Sequence, residues 1–143
     1  MARQENEKKL VLTVGGRMLY PKKEEGKTKY ALQISTLAKQ NLDAKVKEMY
    51  PQYTLSIKED ENESGMYLLN VKTSYDIPIF DKDKNKIETP IYHGAEVYAS
   101  IVIKEYHFMG KTGITTYLSG IVLLENGEAS GGQSFDSIMN NMI

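Results

Sequence analysis

Four residues on one predicted strand have the types and spacing to bind a ligand. Tyr98, Lys104, Tyr106 and Phe108 are all an even number of residues apart, so a strand would place them on one face. The opposite face is predicted to be the core, because it carries the apolar residues Val97, Ala99, Ile101 and Ile103. Rings on an open face can stack on nucleobases, at about 1–3 kcal/mol per base, while a lysine meets phosphate. The alternative is that a helix, a strand or a second subunit covers this face.

A second cluster, basic and aromatic, surrounds a loop predicted at residues 21–27. Its members are Arg17, Tyr20, Lys22, Lys23, Lys27, Lys29 and Tyr30. Lysines in this arrangement can follow a phosphate backbone beside stacking rings. Because Glu24 and Glu25 lie within the same loop, an ordinary solvated loop remains the alternative.

Charge is divided unevenly along the chain, although the net charge is only −1. Residues 1–58 hold 12 Lys and Arg against 6 Asp and Glu, whereas residues 59–143 hold 6 against 13. A basic half favours a polyanionic partner, while a dipolar solvated surface would give the same composition.

Residue types exclude several kinds of active site. The 143 residues include no cysteine and only two histidines, His93 and His107. This excludes disulfide scaffolds, thiolate metal sites and thiol nucleophiles. We therefore predict no enzyme activity, no cofactor and no metal.

Two motifs resemble ligand-binding loops but fail in detail. Gly110-Lys111-Thr112 resembles the end of a nucleotide-binding phosphate loop, but the required earlier glycine is replaced by Glu105 and a strand follows. Residues 81–86 resemble a calcium loop, but Lys86 stands where that loop needs glycine. We interpret the first as a hairpin turn with an exposed cation and the second as a solvated turn.

Most elements that the sequence predicts are strands. Residues 10–20 and 29–34 predict the first two, with a bulge or bend at Gly15-Gly16 and an end at Pro21. Further along, the pattern predicts a strand at 66–73 and a long-armed hairpin at 96–124 that turns at 109–113. Residues 58–65 predict a charged loop, and the pattern allows short strands at 54–57 and 88–92.

One segment has a helical period instead. Ala38, Leu42, Val46 and Met49 recur at spacings of four, four and three, which predicts an amphipathic helix over 36–50. Ser35 or Thr36 can cap its start, and Pro51 disfavours its continuation. One helix among mostly antiparallel strands predicts a small closed barrel and excludes a doubly wound α/β sheet.

The C-terminal segment has a linker followed by apolar residues. Residues 127–133 are rich in glycine and small residues, which is typical of a linker. Large apolar groups follow at helical spacing: Phe135, Ile138, Met139, Met142 and Ile143. We predict a short helix over 134–143, docked on the same or a neighbouring chain, with a disordered tail as the alternative.

Several of these blocks together resemble a known family. They are Gly16-Arg-Met-Leu-Tyr-Pro21, Gly26-Lys-Thr-Lys-Tyr-Ala-Leu32, Ile91-Tyr-His-Gly-Ala-Glu-Val-Tyr-Ala-Ser-Ile-Val-Ile103 and Lys111-Thr-Gly-Ile-Thr-Thr-Tyr-Leu-Ser-Gly-Ile-Val122. In this order, and with a helix after the second, they resemble the single-stranded DNA-binding proteins of bacteriophages, in particular the T7-type and related OB-fold family. The resemblance spans residues 10–128.

The resemblance implies a mainly β, OB-fold-like barrel of five antiparallel strands, with one helix and a long C-terminal hairpin. It implies a DNA-binding domain over residues 1–128 and a tail over 129–143. Matching positions place these residues near the DNA: Arg17, Tyr20, Lys22, Lys23, Lys29, Tyr30, Tyr98, Lys104, Tyr106, Phe108 and Lys111. Such proteins often end in an acidic tail, but residues 134–143 hold a single acid, Asp136.

The function predicted from the residues and the resemblance is non-enzymatic, sequence-tolerant binding of single-stranded DNA in phage replication, recombination or repair. The partners expected are single-stranded DNA, replication or recombination proteins and further copies of the chain. A different class stays open, namely a protein–protein adaptor or virion component whose aromatic face is a subunit interface. No apolar run approaches the roughly 18 residues of a membrane span, and no secretory signal is evident, so we predict the host-cell cytoplasm.

Overall fold

The computed structural model describes residues 9–24, 26–73, 76–127 and 139–143. In chain order the main elements are β1 (Lys9–Glu24), β2 (Lys27–Ser35), α1 (Thr36–Met49), β3 (Ile57–Glu59), β4 (Met66–Thr73), β5 (Ile79–Phe80), β6 (Lys86–Ile87), β7 (Ala95–Phe108) and β8 (Lys111–Glu125).

Five of the strands close into a barrel, as the sequence predicts. They pair in the order β4-β2-β1-β7-β8, and a parallel pairing of Lys72 with Tyr117 joins β8 back to β4. The other described neighbours in this ring are antiparallel. Strand β3 extends the sheet beside β4, and the small β5–β6 hairpin pairs with β8.

Strand β1 pairs with β2 along one edge and with β7 along the other. Of the bulge or bend predicted at Gly15-Gly16, the bulge is wrong, because residues 9–18 pair with β7 without a shift of register. Glycine is needed at Gly16 for another reason, since a Cβ there would lie 2.2 Å from the carbonyl oxygen of Gln33 on β2. Gly16 therefore allows β2 to approach β1 closely, whereas a Cβ at Gly15 would make only an ordinary contact with Tyr98 on β7.

The irregularity of β1 lies further along. Register with β2 shifts between Leu19 and Lys22, and Tyr20 has a φ of 49°. The prediction that Pro21 ends the strand is wrong, because the strand continues to Glu24. Pro21 lies where the ladder is already interrupted, so its missing N–H costs no regular hydrogen bond. Most of the loop predicted at 21–27 is therefore strand.

Two short strands also differ from prediction. The one allowed at 54–57 begins at Ile57, so β3 occupies the first residues of the predicted charged loop. Residues 88–92 form no strand, and the pairing in that region is between β5 and β6. Short apolar runs carry too little periodicity to fix such boundaries.

The core and the helix follow the predicted patterns. Val97, Ala99, Ile101 and Ile103 are all buried. The hydroxyl oxygen of Ser35 caps α1 by accepting a hydrogen bond from the Ala38 amide at 3.2 Å, and Tyr50 closes the other end. From α1, Leu42 and Val46 are buried in the same cluster as the inward residues of the barrel.

The predicted C-terminal helix falls mostly outside the described residues. Met139 and Asn140 are helical, and Met139, Met142 and Ile143 are exposed. Docking of residues 134–143 therefore stays a prediction. Within the described ranges, no helix has the length and apolar character to span a membrane.

Candidate nucleic-acid interface

Three lysines lie side by side across three strands. Lys22 on β1 is the cross-strand partner of Lys29 on β2, and Lys29 is in turn the partner of Lys72 on β4. We call these three residues the lysine row. Like charges directly opposite each other destabilise a sheet. An anion bound along the row would offset that repulsion.

The row continues into an aromatic residue. Lys72 pairs across the barrel closure with Tyr117 on β8. The Lys72 Nζ atom lies 5.5 Å from the centroid of the Tyr117 ring, and the Lys104 Nζ atom lies 6.0 Å from it. Each ammonium group, within about 6 Å of the ring, is attracted to it by a cation–π interaction. The strand partner of Lys104 is Lys9 on β1, which adds a fourth cation near this end.

Three adjoining depressions, which we call the groove, run along these residues. Lys72 lines both the first and the second depression, and Thr73 and Tyr117 line both the second and the third. The described basic and aromatic lining residues are Lys9, Tyr20, Lys22, Lys27, Lys29, Tyr30, Lys72, Lys104 and Tyr117. Among the described lining residues, Asp76 is the one carboxylate. The groove thus combines positive charge with three tyrosine rings.

Tyr20 is held at one end of the groove by His93. The Tyr20 backbone amide donates a hydrogen bond to Nδ1 of His93 at 3.0 Å, and the two rings are 4.8 Å apart at 47°. Accepting that bond requires an imidazole with no proton on Nδ1. The contact stabilises the positive φ of Tyr20, which costs a residue other than glycine about 1–2 kcal/mol. Just over half of the Tyr20 side chain stays exposed, which leaves the ring open to a ligand.

Tyr30 has a double role. It alternates with the core residues Leu32 and Ile34 on β2 and packs partly against the core. Burial raises the pKa of its hydroxyl group. The residue therefore lines the groove with a neutral ring that is fixed by packing.

The β7–β8 hairpin extends past the described end of β1. Beyond the Lys9–Lys104 pair, the described partners of β7 are on β8, up to Phe108 opposite Lys111. We call residues 105–114 the hairpin tip. Its end is apolar and open, with Phe108 68% exposed and Met109 84% exposed.

A ring on the tip lies against the sheet. Tyr106 is the cross-strand partner of Gly113, and a Cβ at Gly113 would lie 2.7–2.9 Å from three atoms of the Tyr106 side chain. The ring therefore covers the glycine, and 41% of Tyr106 remains exposed. A ring held in this way offers one face to a base.

Residues that follow α1 anchor the base of the tip. The hydroxyl group of Tyr53 donates a hydrogen bond to Oε2 of Glu105 at 2.5 Å, which raises the pKa of Tyr53. The hydroxyl group of Tyr50 donates to the carbonyl oxygen of Ile103 at 3.4 Å. His107 Nε2 lies 3.9 Å from the same Glu105 oxygen. The helix end thereby fixes the hairpin relative to the barrel.

Arg17 and Tyr98 lie apart from the groove. Both line a shallow depression that also contains Glu96 and Gln33. Arg17 is the cross-strand partner of both of these residues. Eight residues of strand, roughly 27 Å, separate Tyr98 from Tyr106. The single aromatic face that the alternation predicts is therefore divided between two distant places.

The eleven predicted DNA-binding residues thus lie in four places. The groove contains Tyr20, Lys22, Lys29, Tyr30 and Lys104. The hairpin tip carries Tyr106, Phe108 and Lys111. Lys23 lines a further depression that adjoins the groove through Tyr30, Thr73 and Asp76, and Arg17 and Tyr98 line a separate one.

Four groove residues lie outside the predicted DNA-binding set: Lys9, Lys27, Lys72 and Tyr117. Of these, Lys27 belongs to the basic cluster seen in the sequence. Alternation along β4 does place Lys72 on its outer face. Its contact with Tyr117, however, depends on a pairing between strands that are distant in sequence.

The segment that resembles a calcium loop is a turn held together by its own side chains. Oδ1 of Asp81 accepts hydrogen bonds from the amides of Asp83 at 2.8 Å and Asn85 at 3.0 Å. These bonds, mainly the one from Asn85, lower the pKa of Asp81. No three His, Cys, Asp or Glu side chains of the described residues gather into a metal site.

Comparison with known proteins gives one family and several solved structures. The sequence model of the family described as "Enterobacter phage Enc34, ssDNA-binding protein" matches residues 18–138. No curated protein matches the chain in sequence.

The solved structures share the fold at low identity. The single-stranded DNA-binding protein of bacteriophage Enc34 is 17% identical, with a TM-score of 0.65, over 92% of this chain and 90% of that one. The same phage protein in complex with ssDNA is 16% identical, with a TM-score of 0.64, over 85% and 89%. The single-stranded DNA-binding protein gp2.5 of bacteriophage T7 is 14% identical, with a TM-score of 0.58, over 95% and 96%.

Proposed function

The chain belongs to the Enc34 ssDNA-binding protein family of phages, and we propose that it binds single-stranded DNA along the groove. The lysine row and Tyr117 hold the strand, with phosphates near the lysines and a base near the ring. Tyr20 contributes a second ring at one end, and Lys104 and Lys9 continue the positive charge at the other.

One observation carries this proposal beyond family membership. The unbroken cross-strand series Lys22, Lys29, Lys72 and Tyr117 crosses four strands of the barrel. Two of these strands, β2 and β4, correspond in order to the second and third strands of an OB-fold. Those two strands form the face on which OB-fold barrels bind oligonucleotides. Cations at adjacent ladder positions can contact successive phosphates.

The proposed binding is tolerant of sequence. Lysine contacts with phosphate read no base, and any base has a face that can stack on tyrosine. Stacking needs unpaired bases, so duplex DNA would gain only the phosphate contacts. The proposed role is binding alone, because the family and the relatives are described by DNA binding.

We place this activity in phage DNA replication, recombination or repair, which expose single strands in the host-cell cytoplasm. The hairpin tip is a further candidate contact through Tyr106 and Lys111. Arg17, Lys23 and Tyr98 remain candidate contacts for DNA that continues beyond the groove.

A titration of fluorescein-labelled oligothymidine tests the proposal directly. Fluorescence anisotropy should show tight binding of the single strand and much weaker binding of a duplex of equal length. For single strands, log K should fall with log salt by about 0.7 per phosphate neutralised. Equal affinity for the duplex, or an affinity independent of salt, would contradict it.

A further inference from the structure

We propose that the hairpin tip is a wedge that unstacks the first base pair where single-stranded DNA meets a duplex. This inference rests on the proposed function. It adds an activity at junctions to binding of the single strand, and it assigns that activity to Phe108 and Met109.

The tip presents two apolar side chains to solvent. Phe108 and Met109 are adjacent and are both mostly exposed. Phe and Met are among the side chains that DNA-binding proteins insert between base steps. Exposed apolar side chains at the end of a hairpin have the shape for such an insertion.

The turn chemistry does not account for Met109. Its φ is 50° and that of Gly110 is 81°. A two-residue turn with positive φ at both positions favours Asn-Gly, Asp-Gly or Gly-Gly. A long side chain is strained in this conformation, so methionine is a poor choice for the fold and needs another explanation.

The tip is braced, as a wedge must be. Tyr53 is hydrogen-bonded to Glu105, and Tyr50 to the backbone of Ile103, which ties the base of the hairpin to the end of α1. Tyr106 packs over Gly113 between the base and the turn. These contacts would therefore keep the tip in place while it is inserted against a base pair.

The charges near the tip favour DNA over a protein partner. Lys111 is the cross-strand partner of Phe108, and Lys104 lies on the same outer face of β7. Lys104 also lines the groove. Glu105, the carboxylate at the base of the tip, alternates to the other face and accepts a hydrogen bond from Tyr53. A strand lying in the groove would thus reach the wedge along a path of cations.

A forked DNA containing 2-aminopurine tests the wedge. One substrate carries the probe in the first base pair beside a single-stranded tail, and a second carries it several pairs deeper. The wild-type protein, at a concentration that saturates the tail, should raise fluorescence at the first position and not at the deeper one.

Two variants and a matched control assign the effect. Met109→Asn suits the turn better than methionine, so loss of activity cannot be ascribed to misfolding, and Phe108→Ser removes the neighbouring ring. Each should make the fluorescence rise at least about five-fold smaller at protein concentrations that saturate the tail. Met109→Asn should also keep single-strand affinity within about three-fold of wild type. The control Leu37→Gln removes an equally exposed apolar group on α1 and should keep the full rise.

Three outcomes would overturn the wedge. One is an undiminished rise in both tip variants, and another is no rise with the wild-type protein while it binds the tail normally. The third is a change of oligomeric state in the tip variants, which would make the tip a contact between copies of the chain. Failure to bind the tail at all would instead contradict the proposed function.

Discussion

Tyr106 lies over Gly113, its cross-strand partner, because glycine leaves room for the ring. A Cβ at Gly113 would come within 2.7 Å of the tyrosine hydroxyl oxygen and 2.9 Å of two ring carbons. Tyr98 makes a similar contact with Gly15, its partner on the other neighbouring strand, β1. Two carbons of the Tyr98 ring lie 3.4 Å from the position that a Cβ of residue 15 would occupy. In each pair a glycine backs an exposed tyrosine ring, which is a known way to stabilise glycine in a sheet.

We expect Gly113→Ala to weaken DNA binding by tilting the Tyr106 ring. The loss should approach that of Tyr106→Ala, about 1–3 kcal/mol if the ring stacks on a base. Thermal stability should change little, since Gly113 does not have a left-handed backbone conformation. Anisotropy titration and thermal melting measure the two effects.

Gly15→Ala is the matched control, because its new methyl group would make an ordinary contact with Tyr98. It should leave affinity unchanged. If Tyr106→Ala lowers the melting temperature strongly and binds DNA normally, the ring belongs to the fold and not to the interface.

We expect Lys72→Ala to reduce both affinity and salt dependence. Lys72 is the middle of the series from Lys29 to Tyr117, so its loss should lower the slope of log K against log salt by about 0.7. Lys45→Ala, which makes the same charge change on α1 away from the groove, should leave the slope unaltered. Identical slopes for Lys72→Ala and the wild type would remove Lys72 from the phosphate path.

We expect Tyr117→Ala and Tyr117→Phe to differ sharply. The ring lies near two ammonium groups, and phenylalanine preserves a face for stacking while alanine does not. Tyr117→Ala should lose about 1–3 kcal/mol of binding free energy, and Tyr117→Phe should stay close to wild type. Equal losses would point to the hydroxyl group, a result at odds with stacking.

We expect the Asp60 carboxylate to make stability depend on pH. Asp60 is buried, and its pKa is lowered by hydrogen bonds from the Asn62 amide at 2.9 Å and the Gln33 side-chain amide at 2.7 Å. Because the folded-state pKa is the lower one, the stabilisation is complete above the ordinary value of about 3.8. It is lost as pH falls through the folded-state value.

Urea unfolding of wild type and Asp60→Asn measures this effect. The difference in unfolding free energy between the two proteins should be largest near neutral pH and should shrink below the ordinary pKa of aspartate. A difference that stays constant down to the lowest pH at which both fold would show that Asp60 acts through its shape and not its charge.

Patterns between neighbours in sequence predicted much of the architecture. The alternation of Val97 to Ile103 and the helical stripe from Ala38 to Met49 are both confirmed. The buried face of a strand or helix can be predicted from that segment alone, because its side chains return to the same face every 2 or 3.6 residues. For the same reason, it could be predicted that Phe108 lies on the solvent-facing side of its strand and that Ser35 caps the helix.

Local sequence patterns were therefore enough for the strands of the barrel, the helix and the buried faces. Three features required the folded chain: β1 continues past Pro21, Lys72 and Tyr117 join the groove, and Arg17 and Tyr98 lie apart from it. The reason is register. Which residues meet across a closed barrel depends on the stagger of all its strands together, and no single segment encodes that stagger.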